Sequence, residues 1–360
     1  GKDPKAEAKD KAARSASEKA KKKALSVTLG EVLKSFLRAR ALKEKTRKDY
    51  QSTISKCLPD WLDKPIRDVT RRQVEDRFFE IQQRTKTERG TDGKAQATKC
   101  MRYLSAIMNS AKAEEVDGER LISDNPVDVL SQKRIDRRIK PRERALSEKD
   151  LEALFMAMGT KAHPQHGHTK CSSDAMDLII LIIYTGLRRN EASSLRWENV
   201  DFENQLFIVK DTKNRREHIV PMSTQVEGRL KRRFESRATG AEWVFPGRHG
   251  KGHLKEIRGA LKEMGQDIGS PFMIHDLRRT FATMADEAGV PYEAIKRALN
   301  HKTGDVTAKY IISRADSMRE TFQKVADMVD WWALKEPPGG VDDDAPDGET
   351  DDDDEMYAVS

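Results

Sequence analysis

Two polar side chains three residues apart are the first candidates for chemistry in this 360-residue sequence. His275 and Arg278 lie in the stretch IHDLRRTFATMADEAG, whose apolar residues recur at helical intervals and which Gly289 closes as a C-terminal cap. At ~100° per residue, the two side chains lie about 60° apart on a face away from the apolar stripe. Such a pair suits a phosphate, because the arginine offers a donor fork and the histidine can transfer a proton. Alone it is a weak signal, since polar pairs on exposed helix faces are common.

The residues that follow offer a competing interpretation. Residues 289–291 form a turn into a second short helix that ends near Asn300. A helix, a short turn and a second helix are typical of DNA-binding regulators, which need no catalysis. That interpretation leaves His301 and Tyr310 without a role.

Five motifs occur in the order found in one protein family. They are TGLRRNE from Thr185, DTKNRRE from Asp211, HDLRR from His275, LNH from Leu299, and Tyr310. Residues 144–334 therefore resemble the catalytic domain of the tyrosine recombinases, the phage integrase family, and the preceding all-helical region resembles their core-binding domain. The resemblance implies a mainly α fold with a small antiparallel β-sheet: a SAM-like helical bundle followed by an α+β catalytic domain.

Within the family, the Lys/Ala-rich start and the LNH variant are similar to integrases of prophages and genomic islands. Many of those carry an arm-site DNA-binding domain ahead of such a linker. Because the chain begins with Gly1, we expect such a domain to precede it in the natural protein, with an engineered start as the alternative. Asn300 stands where many relatives have glycine, at a helix end where either residue tolerates a left-handed conformation.

The resemblance implies a nucleophile and two phosphate ligands. Tyr310 would attack the scissile phosphate, form a 3′-phosphotyrosyl link and release a 5′ hydroxyl. Arg188 and Arg278 would hold the non-bridging oxygens. Two guanidinium groups can neutralise a pentacoordinate phosphorane without a metal, so neither ATP, Mg²⁺ nor any other cofactor is expected.

The resemblance also implies the proton-transfer groups. Lys213, at the tip of a hairpin, would protonate the leaving 5′ oxygen. His275 would act as general acid and base on the tyrosine side, and His301 would hydrogen-bond the phosphate. The stored phosphotyrosyl bond lets a second strand reverse the step, which makes the reaction an exchange rather than a hydrolysis.

Neighbouring residues compete for two of these roles. Arg189 is the alternative to Arg188, although the motif places the role on the first arginine. Lys210 is the alternative to Lys213, but it ends an apolar strand and reaches less far than a lysine at the turn. Glu191 is interpreted as a structural partner of the arginines rather than a catalyst.

The elements before the catalytic motifs predict a small helical bundle over residues 26–125. Thr28 with Glu31 and Thr70 with Gln73 form capping boxes ahead of amphipathic runs, and a further helix is predicted around 96–113. Its polar faces carry five basic residues that are candidates for contact with DNA phosphates or simply solvated: Lys45, Arg47, Lys48, Lys99 and Arg102.

The remaining segments complete the predicted organisation. Residues 1–25 form a basic linker, 126–143 an interdomain linker, 144–335 the catalytic domain and 336–360 a disordered acidic tail. Ser147 and Asp150 cap the first catalytic helix. Strands at 206–209 and 218–220 flank the polar turn 212–216, which predicts a hairpin.

The net charge hides two segments of opposite sign. The chain carries +7, with 67 Lys and Arg against 60 Asp and Glu. Residues 336–360 hold eleven acidic and no basic residues, so residues 1–335 carry +18. Such a body suggests a polyanionic partner, with a merely soluble surface as the alternative. The tail is expected to be a solvating extension, or else to compete with DNA for the basic body.

Cysteine usage and hydropathy exclude other classes. Cys57, Cys100 and Cys171 are widely spaced and form no CxxC pair, which argues against a disulfide framework and favours a reducing cytoplasm. The longest apolar run, 178–184, is far shorter than the ~18 residues of a membrane helix, so no membrane association is expected.

Two further segments allow more than one interpretation. The loop HPQHGHTKC, from His163 to Cys171, is rich in metal-binding side chains but lacks a known ligand spacing, so no metal is assigned. Residues 315–332 carry an apolar helical face that must be buried. It either packs on its own catalytic domain or docks into a neighbouring protomer.

The sequence thus predicts a cytoplasmic, bacterial or phage-encoded site-specific DNA recombinase that integrates or excises a mobile element. It would act as a homotetramer on two double-stranded DNA attachment sites through a Holliday junction, with accessory DNA-bending proteins as further candidate partners. The alternatives are a type IB topoisomerase-like or resolvase activity, and a non-catalytic helix-turn-helix regulator.

Overall fold

The structure, a computed structural model, describes residues 15, 22, 25–89, 92–116, 118–139, 143–162, 172–210, 217–301 and 315–335. The chain divides into two compact units, Gly1–Arg142 (unit 1) and Glu143–Ser360 (unit 2). Three sequence predictions lie outside the described residues: Lys213, Tyr310 and the candidate metal loop 163–171. So do the acidic tail and most of residues 1–25.

Unit 1 is a helical bundle with one short hairpin. Its elements are α1 (Leu29–Ala39), α2 (Glu44–Cys57), α3 (Arg71–Arg89), α4 (Lys94–Lys112), β1 (Glu115–Val116), β2 (Glu119–Arg120) and α5 (Val129–Gln132), with 3₁₀ turns at Pro59–Trp61, Ile66–Asp68 and Pro126–Asp128. Phe36, Ile54 and Phe78, on α1, α2 and α3, are fully buried in one core, and all three helices pack on α4. Apolar residues at helical spacing therefore face a common core, as the sequence pattern requires.

Both capping boxes predicted in unit 1 are confirmed. The Thr28 hydroxyl accepts a hydrogen bond from the Glu31 backbone N–H at 3.2 Å, and the Glu31 carboxylate accepts one from Thr28 N–H at 2.8 Å. Thr70 and Gln73 make the same reciprocal pair at 3.3 and 3.1 Å. These bonds satisfy N–H groups that would otherwise lack partners at the helix start.

Unit 2 surrounds one apolar helix. Its elements are α6 (Glu148–Ala162), α7 (Ser173–Thr185), α8 (Arg189–Ser193), β3 (Val200–Asp201), β4 (Leu206–Val209), β5 (His218–Pro221), α9 (Thr224–Glu235), α10 (Arg258–Asp267), α11 (Ile274–Glu287), α12 (Tyr292–Ala298) and α13 (Ala315–Leu334), with 3₁₀ turns at Trp197–Asn199 and Arg248–Gly250. Every residue from 178 to 185 is buried, which is typical of a helix that is apolar on all sides.

The sheet of unit 2 contains the predicted hairpin. Strands β4 and β5 pair antiparallel with Val209 opposite His218, and β3 adds a third antiparallel strand. The Ser147–Asp150 cap ahead of α6 is also present, with reciprocal bonds of 3.1 and 3.2 Å. Mainly helical structure with small antiparallel sheets confirms the predicted fold class.

Helix α13 packs on its own unit. Phe322, Val325 and Val329 are at most 1% exposed and lie in the same core as α7. The Tyr184 hydroxyl donates a hydrogen bond to Asp330, which joins α7 to α13 at the edge of this core. Of the two placements that the sequence left open, the structure shows packing in cis. Docking into a second protomer stays a prediction.

Among the described residues, no helix combines the length and apolar composition that crossing a membrane requires.

Candidate active site

A glycine turn at the end of α7 sets the position of the first arginine. Gly186 has φ +62°, and its N–H donates to the Ile182 carbonyl at 2.8 Å. A Cβ at this position would lie 2.6 Å from Phe281 Cδ1 and 2.8 Å from Leu299 Cδ2. Because of both the left-handed backbone and this contact, only glycine fits here. The chain then turns directly into α8, which begins after Arg188.

A buried carboxylate holds Arg188. Glu191 lies on α8 with its side chain only 3% exposed, and one carboxylate oxygen accepts from the Arg188 guanidinium at 2.9 Å. The other oxygen accepts from the Arg188 backbone N–H at 3.0 Å. A charge-assisted pair with a buried partner fixes the guanidinium more firmly than a surface ion pair would. This geometry agrees with the interpretation of Glu191 as a structural partner.

Arg278 is buried between two backbone carbonyls. It lies on α11, is 5% exposed, and donates to the carbonyl oxygens of Gly186 and Leu299. Burial, followed by the nearby Arg188 charge, lowers the pKa of Arg278 to about 10. The expectation that Arg278 lies on a helix face away from the core is therefore wrong. Its guanidinium group can be buried because the Gly186 and Leu299 carbonyls, from outside α11, accept its hydrogen bonds.

The two histidines lie beside these arginines and are more exposed. Partial burial is the main cause that lowers the pKa of His275, and the charges of Arg279 and Arg278 lower it further. Partial burial, followed by the charges of Arg278 and Arg188, lowers the pKa of His301. The lowered pKa values favour the neutral form of both imidazoles, and a neutral imidazole can accept a proton. These mutual effects place His275, His301, Arg188 and Arg278 in one cluster, which we call the phosphate cluster.

The position of His301 depends on the residue before it. Asn300 has φ +47°, the left-handed conformation expected from the sequence. The His301 N–H donates to the Lys296 carbonyl at 3.0 Å and closes α12. This termination turns the chain so that His301 follows the helix end on the side of Arg278.

The structure distinguishes Arg188 from Arg189, which the sequence left as alternatives for the same role. Arg189 donates to the Asn190 side chain at 3.0 Å and to the Lys255 carbonyl at 3.3 Å, whereas Arg188 belongs to the phosphate cluster. This difference favours Arg188 as the phosphate ligand. Lys210 is exposed at the end of β4, and its competitor Lys213 lies outside the described residues.

One buried residue of this site went unnoticed in the sequence. His218 begins β5, and its Nε2 lies 3.0 Å from the Ala298 carbonyl oxygen. Burial lowers its pKa to about 4, against the raising effect of Glu191. The strand pattern could have predicted this burial. In the strand HIVP, side chains alternate between faces, so His218 lies on the same buried face as Val220, with Ile219 exposed between them.

The candidate DNA contacts of unit 1 lie on two helices. Lys45, Arg47 and Lys48 lie on α2, where Glu44 pairs with Arg47 at 4.0 Å and with Lys48 at 3.6 Å. The long, exposed pair leaves Lys48 accessible to a ligand, whereas Arg47 is partly buried.

Helix α4 carries the other two candidate DNA contacts, Lys99 and Arg102. Lys99 donates to Asp49 at 2.5 Å, and the Tyr103 hydroxyl donates to the same carboxylate at 2.6 Å. Arg102 is exposed, with its guanidinium 5.6 Å from the Tyr103 ring centroid. Lys99 is therefore part of an internal network, whereas Arg102 faces solvent.

The described residues contain no group of three or more His, Cys, Asp or Glu side chains arranged to hold a metal ion.

The catalytic region matches known proteins in sequence. Residues 144–316 match the model of the phage integrase family. Tyrosine recombinase XerA of Thermococcus kodakarensis is 29% identical over 152 residues, which are 41% of this chain and 54% of that protein. The integrase of Shigella phage Sf6 is 34% identical over 155 residues, 42% of this chain and 38% of that protein. The chain thus spans about half or less of the length of these curated relatives.

The fold matches solved structures over more of the chain. The Tn1549 transposon integrase in complex with circular intermediate DNA gives a TM-score of 0.59 at 19% identity, over 82% of this chain and 98% of that one. A lambda integrase dimer bound to a COC′ core site gives 0.58 at 16% identity, over 80% and 98%. Residues 144–316 thus form a domain of the phage integrase family, the tyrosine recombinases.

Proposed function

We propose that the protein is a site-specific DNA recombinase that breaks and rejoins DNA strands through a 3′-phosphotyrosyl intermediate. The observation that carries the proposal is the phosphate cluster: two held guanidinium groups with two imidazoles of lowered pKa beside them, all in the family-matched region. This set of donors suits a phosphodiester that gains negative charge as it reacts. Family membership supports the same conclusion.

In the proposed reaction, the Tyr310 oxygen attacks the scissile phosphorus as the bond to the 5′ oxygen breaks. Arg188 and Arg278 neutralise the charge on the non-bridging oxygens. His275 accepts the tyrosine proton, His301 donates a hydrogen bond to the phosphate, and Lys213 supplies a proton to the leaving 5′ oxygen. A 5′ hydroxyl from a second strand then reverses the step, so the number of phosphodiester bonds is conserved.

The fixed positions of the two arginines are useful for this chemistry. A guanidinium already held by Glu191 or by the carbonyls of Gly186 and Leu299 needs no reorganisation when the phosphate arrives. The incoming phosphate anion also opposes the neighbouring cations, so it raises the pKa of both histidines and favours proton uptake by them.

The proposed partner is double-stranded DNA, bound by both units. The body of residues 1–335 carries +18, and the exposed cations Lys45, Lys48 and Arg102 of unit 1 are proposed to contact phosphates. A lambda integrase tetramer bound to a Holliday junction is among the solved structures with a similar fold, with a TM-score of 0.57. This likeness supports a homotetramer bound to a Holliday junction. We propose that the tetramer acts on two attachment sites in the bacterial cytoplasm, with accessory DNA-bending proteins as further partners.

A nicked suicide duplex tests the proposal. The duplex carries a candidate attachment sequence with a nick placed so that the cleaved fragment diffuses away and the covalent protein–DNA adduct accumulates. We expect an adduct with the wild-type protein and none with Tyr310→Phe. Tyr292→Phe is the matched control, because Tyr292 is 69% exposed on α12 and should not be needed for cleavage.

The same assay separates the alternatives. Adduct formation at any sequence, together with relaxation of supercoiled plasmid by single protomers, would indicate a type IB topoisomerase-like enzyme. Specific binding without an adduct, indifferent to Tyr310→Phe, would indicate a helix-turn-helix regulator. Either outcome contradicts the proposed recombinase.

A further inference from the structure

His218 is a buried titratable group that the proposed reaction does not use. It is the first residue of β5, and its Nε2 lies 3.0 Å from the carbonyl oxygen of Ala298, the last residue of α12. A carbonyl can only accept, so Nε2 carries the hydrogen and the tautomer of the neutral ring is determined by this contact. The imidazole therefore joins the sheet to the end of a helix.

The segment that His218 binds is the turn that contains His301 and binds Arg278, two of the four residues of the phosphate cluster. Its residues are 298–301, which we call the 298–301 turn. The Ala298 carbonyl accepts from His218, and the next carbonyl, of Leu299, accepts from Arg278. Asn300 then takes the left-handed conformation and His301 follows. Two consecutive carbonyls of one turn are thus bound by two side chains from other elements.

The charges around the imidazole explain why a neutral donor is found there. Glu191, Arg278 and Arg188 all act electrostatically on His218. A cationic donor such as lysine would lie close to two guanidinium groups with one carboxylate already paired to Arg188, which is unfavourable in a buried site. A neutral imidazole binds the carbonyl without adding charge to the cluster.

We propose that His218 is a positioning residue for strand cleavage: its hydrogen bond to Ala298 fixes the 298–301 turn on β5 and so places Arg278 and His301 around the scissile phosphate. This inference rests on the proposed recombinase function. His218 itself touches backbone and would not contact DNA.

The test compares three variants in the full chain. His218→Leu removes the donor at similar volume. His218→Gln keeps an N–H that can reach the same carbonyl. Val220→Ala is the control, because Val220 is fully buried on the same strand and face but has no polar group that could bind the Ala298 carbonyl. The readouts are the single-turnover rate of adduct formation on the suicide duplex at saturating DNA, the Kd for that duplex, and unfolding by urea.

We expect His218→Leu to lower the cleavage rate about 10–100-fold, the usual cost of losing a partner that orients an active-site group. The Kd should stay within about twofold, because phosphate contacts elsewhere dominate affinity. His218→Gln should recover most of the rate. Val220→Ala should lower stability by a similar or larger amount and leave the rate unchanged.

Three results would overturn the inference: a wild-type rate in His218→Leu, a glutamine variant as slow as the leucine variant, or a rate loss in Val220→Ala that follows its loss of stability. All three presuppose an adduct with the wild-type protein. If the wild type forms none, the proposed function itself fails, so the two failures are distinguishable.

Discussion

The basic side chains of the two units are held in different ways. In unit 2, Arg278 is buried between two carbonyls, and Arg188 is tied to the buried Glu191. In unit 1, Lys45 and Arg102 are exposed, and Lys48 has only a long ion pair to Glu44. A group that stabilises a transition state must occupy one position, whereas a group that neutralises a duplex phosphate need only be nearby. The comparison indicates that rigidity, rather than charge alone, distinguishes the proposed catalytic cations of unit 2 from the proposed DNA-contacting cations of unit 1.

The largest expected effect comes from the most rigidly held cation. Arg278→Lys should lower the rate of adduct formation about 100–1000-fold, because an ammonium cannot span two carbonyls and a phosphate oxygen as a planar fork can. The control is Arg279→Lys, whose side chain pairs with Asp276 at 3.0 Å and should change the rate little. A wild-type rate in Arg278→Lys would show that charge, not geometry, matters at this site.

The next effect concerns pH. The folded-state pKa of His218 is about 4, below its ordinary value of 6.5, so the unfolded chain binds the proton more readily. The contribution of neutral His218 to the free energy of unfolding is fully present above pH 6.5. It is lost as pH falls through 4, and the loss is up to about 3 kcal/mol. Urea unfolding of unit 2 should therefore become easier between pH 7.5 and 4.5. Tryptophan fluorescence reports it, since four of the five tryptophans lie in unit 2.

His218→Gln should flatten that dependence and leave the smaller contributions of His275 and His301, whose pKa values are also lowered. A variant that retains the full pH dependence would exclude His218 as its main source.

Backbone geometry gives the third prediction. Gly186→Ala should lower the free energy of unfolding by about 2–4 kcal/mol, because the new Cβ meets Phe281 and Leu299 and the backbone is left-handed. Gly259→Ala is the matched control: it lies in α10 with open space around it and should be neutral or slightly stabilising. A neutral Gly186→Ala would mean that the turn before Arg188 is not constrained.

The smallest effects are expected in unit 1. Lys48→Ala should weaken binding to any duplex a few-fold and reduce the slope of log K against log salt by about 1, as loss of a single phosphate contact does. Lys99→Ala should instead lower the stability of unit 1 by about 1 kcal/mol, since Lys99 binds Asp49 beside Tyr103. A Lys99 variant with normal stability and a reduced salt slope would reverse this assignment.

The sequence predicted local structure where side chains act on their own backbone. The capping boxes at Thr28, Thr70 and Ser147 and the hairpin of β4 and β5 involve residues close together in the chain, and all are confirmed. The left-handed Asn300 belongs to the same group. Short-range chemistry determines these features, so periodicity and residue type were sufficient.

Features that depend on distant contacts were not predictable in this way. The burial of Arg278 requires carbonyls 92 and 21 residues away in sequence, and the bond from His218 to Ala298 spans 80 residues. Helical spacing alone placed Arg278 on a polar face, and nothing local could decide whether α13 packs in cis. The family resemblance identified which residues gather at the site, while the packing shows what holds them. The roles of Lys213 and Tyr310 stay predictions.

Mapping the covalent link tests the central claim most directly. The wild-type adduct on the suicide duplex is digested with trypsin and nuclease, and the nucleotide-bearing peptide is sequenced by mass spectrometry. We predict a 3′-linked nucleotide on the peptide YIISR, residues 310–314, at the Tyr310 oxygen. A nucleotide on any other residue, or a 5′-phosphate linkage, would contradict the account.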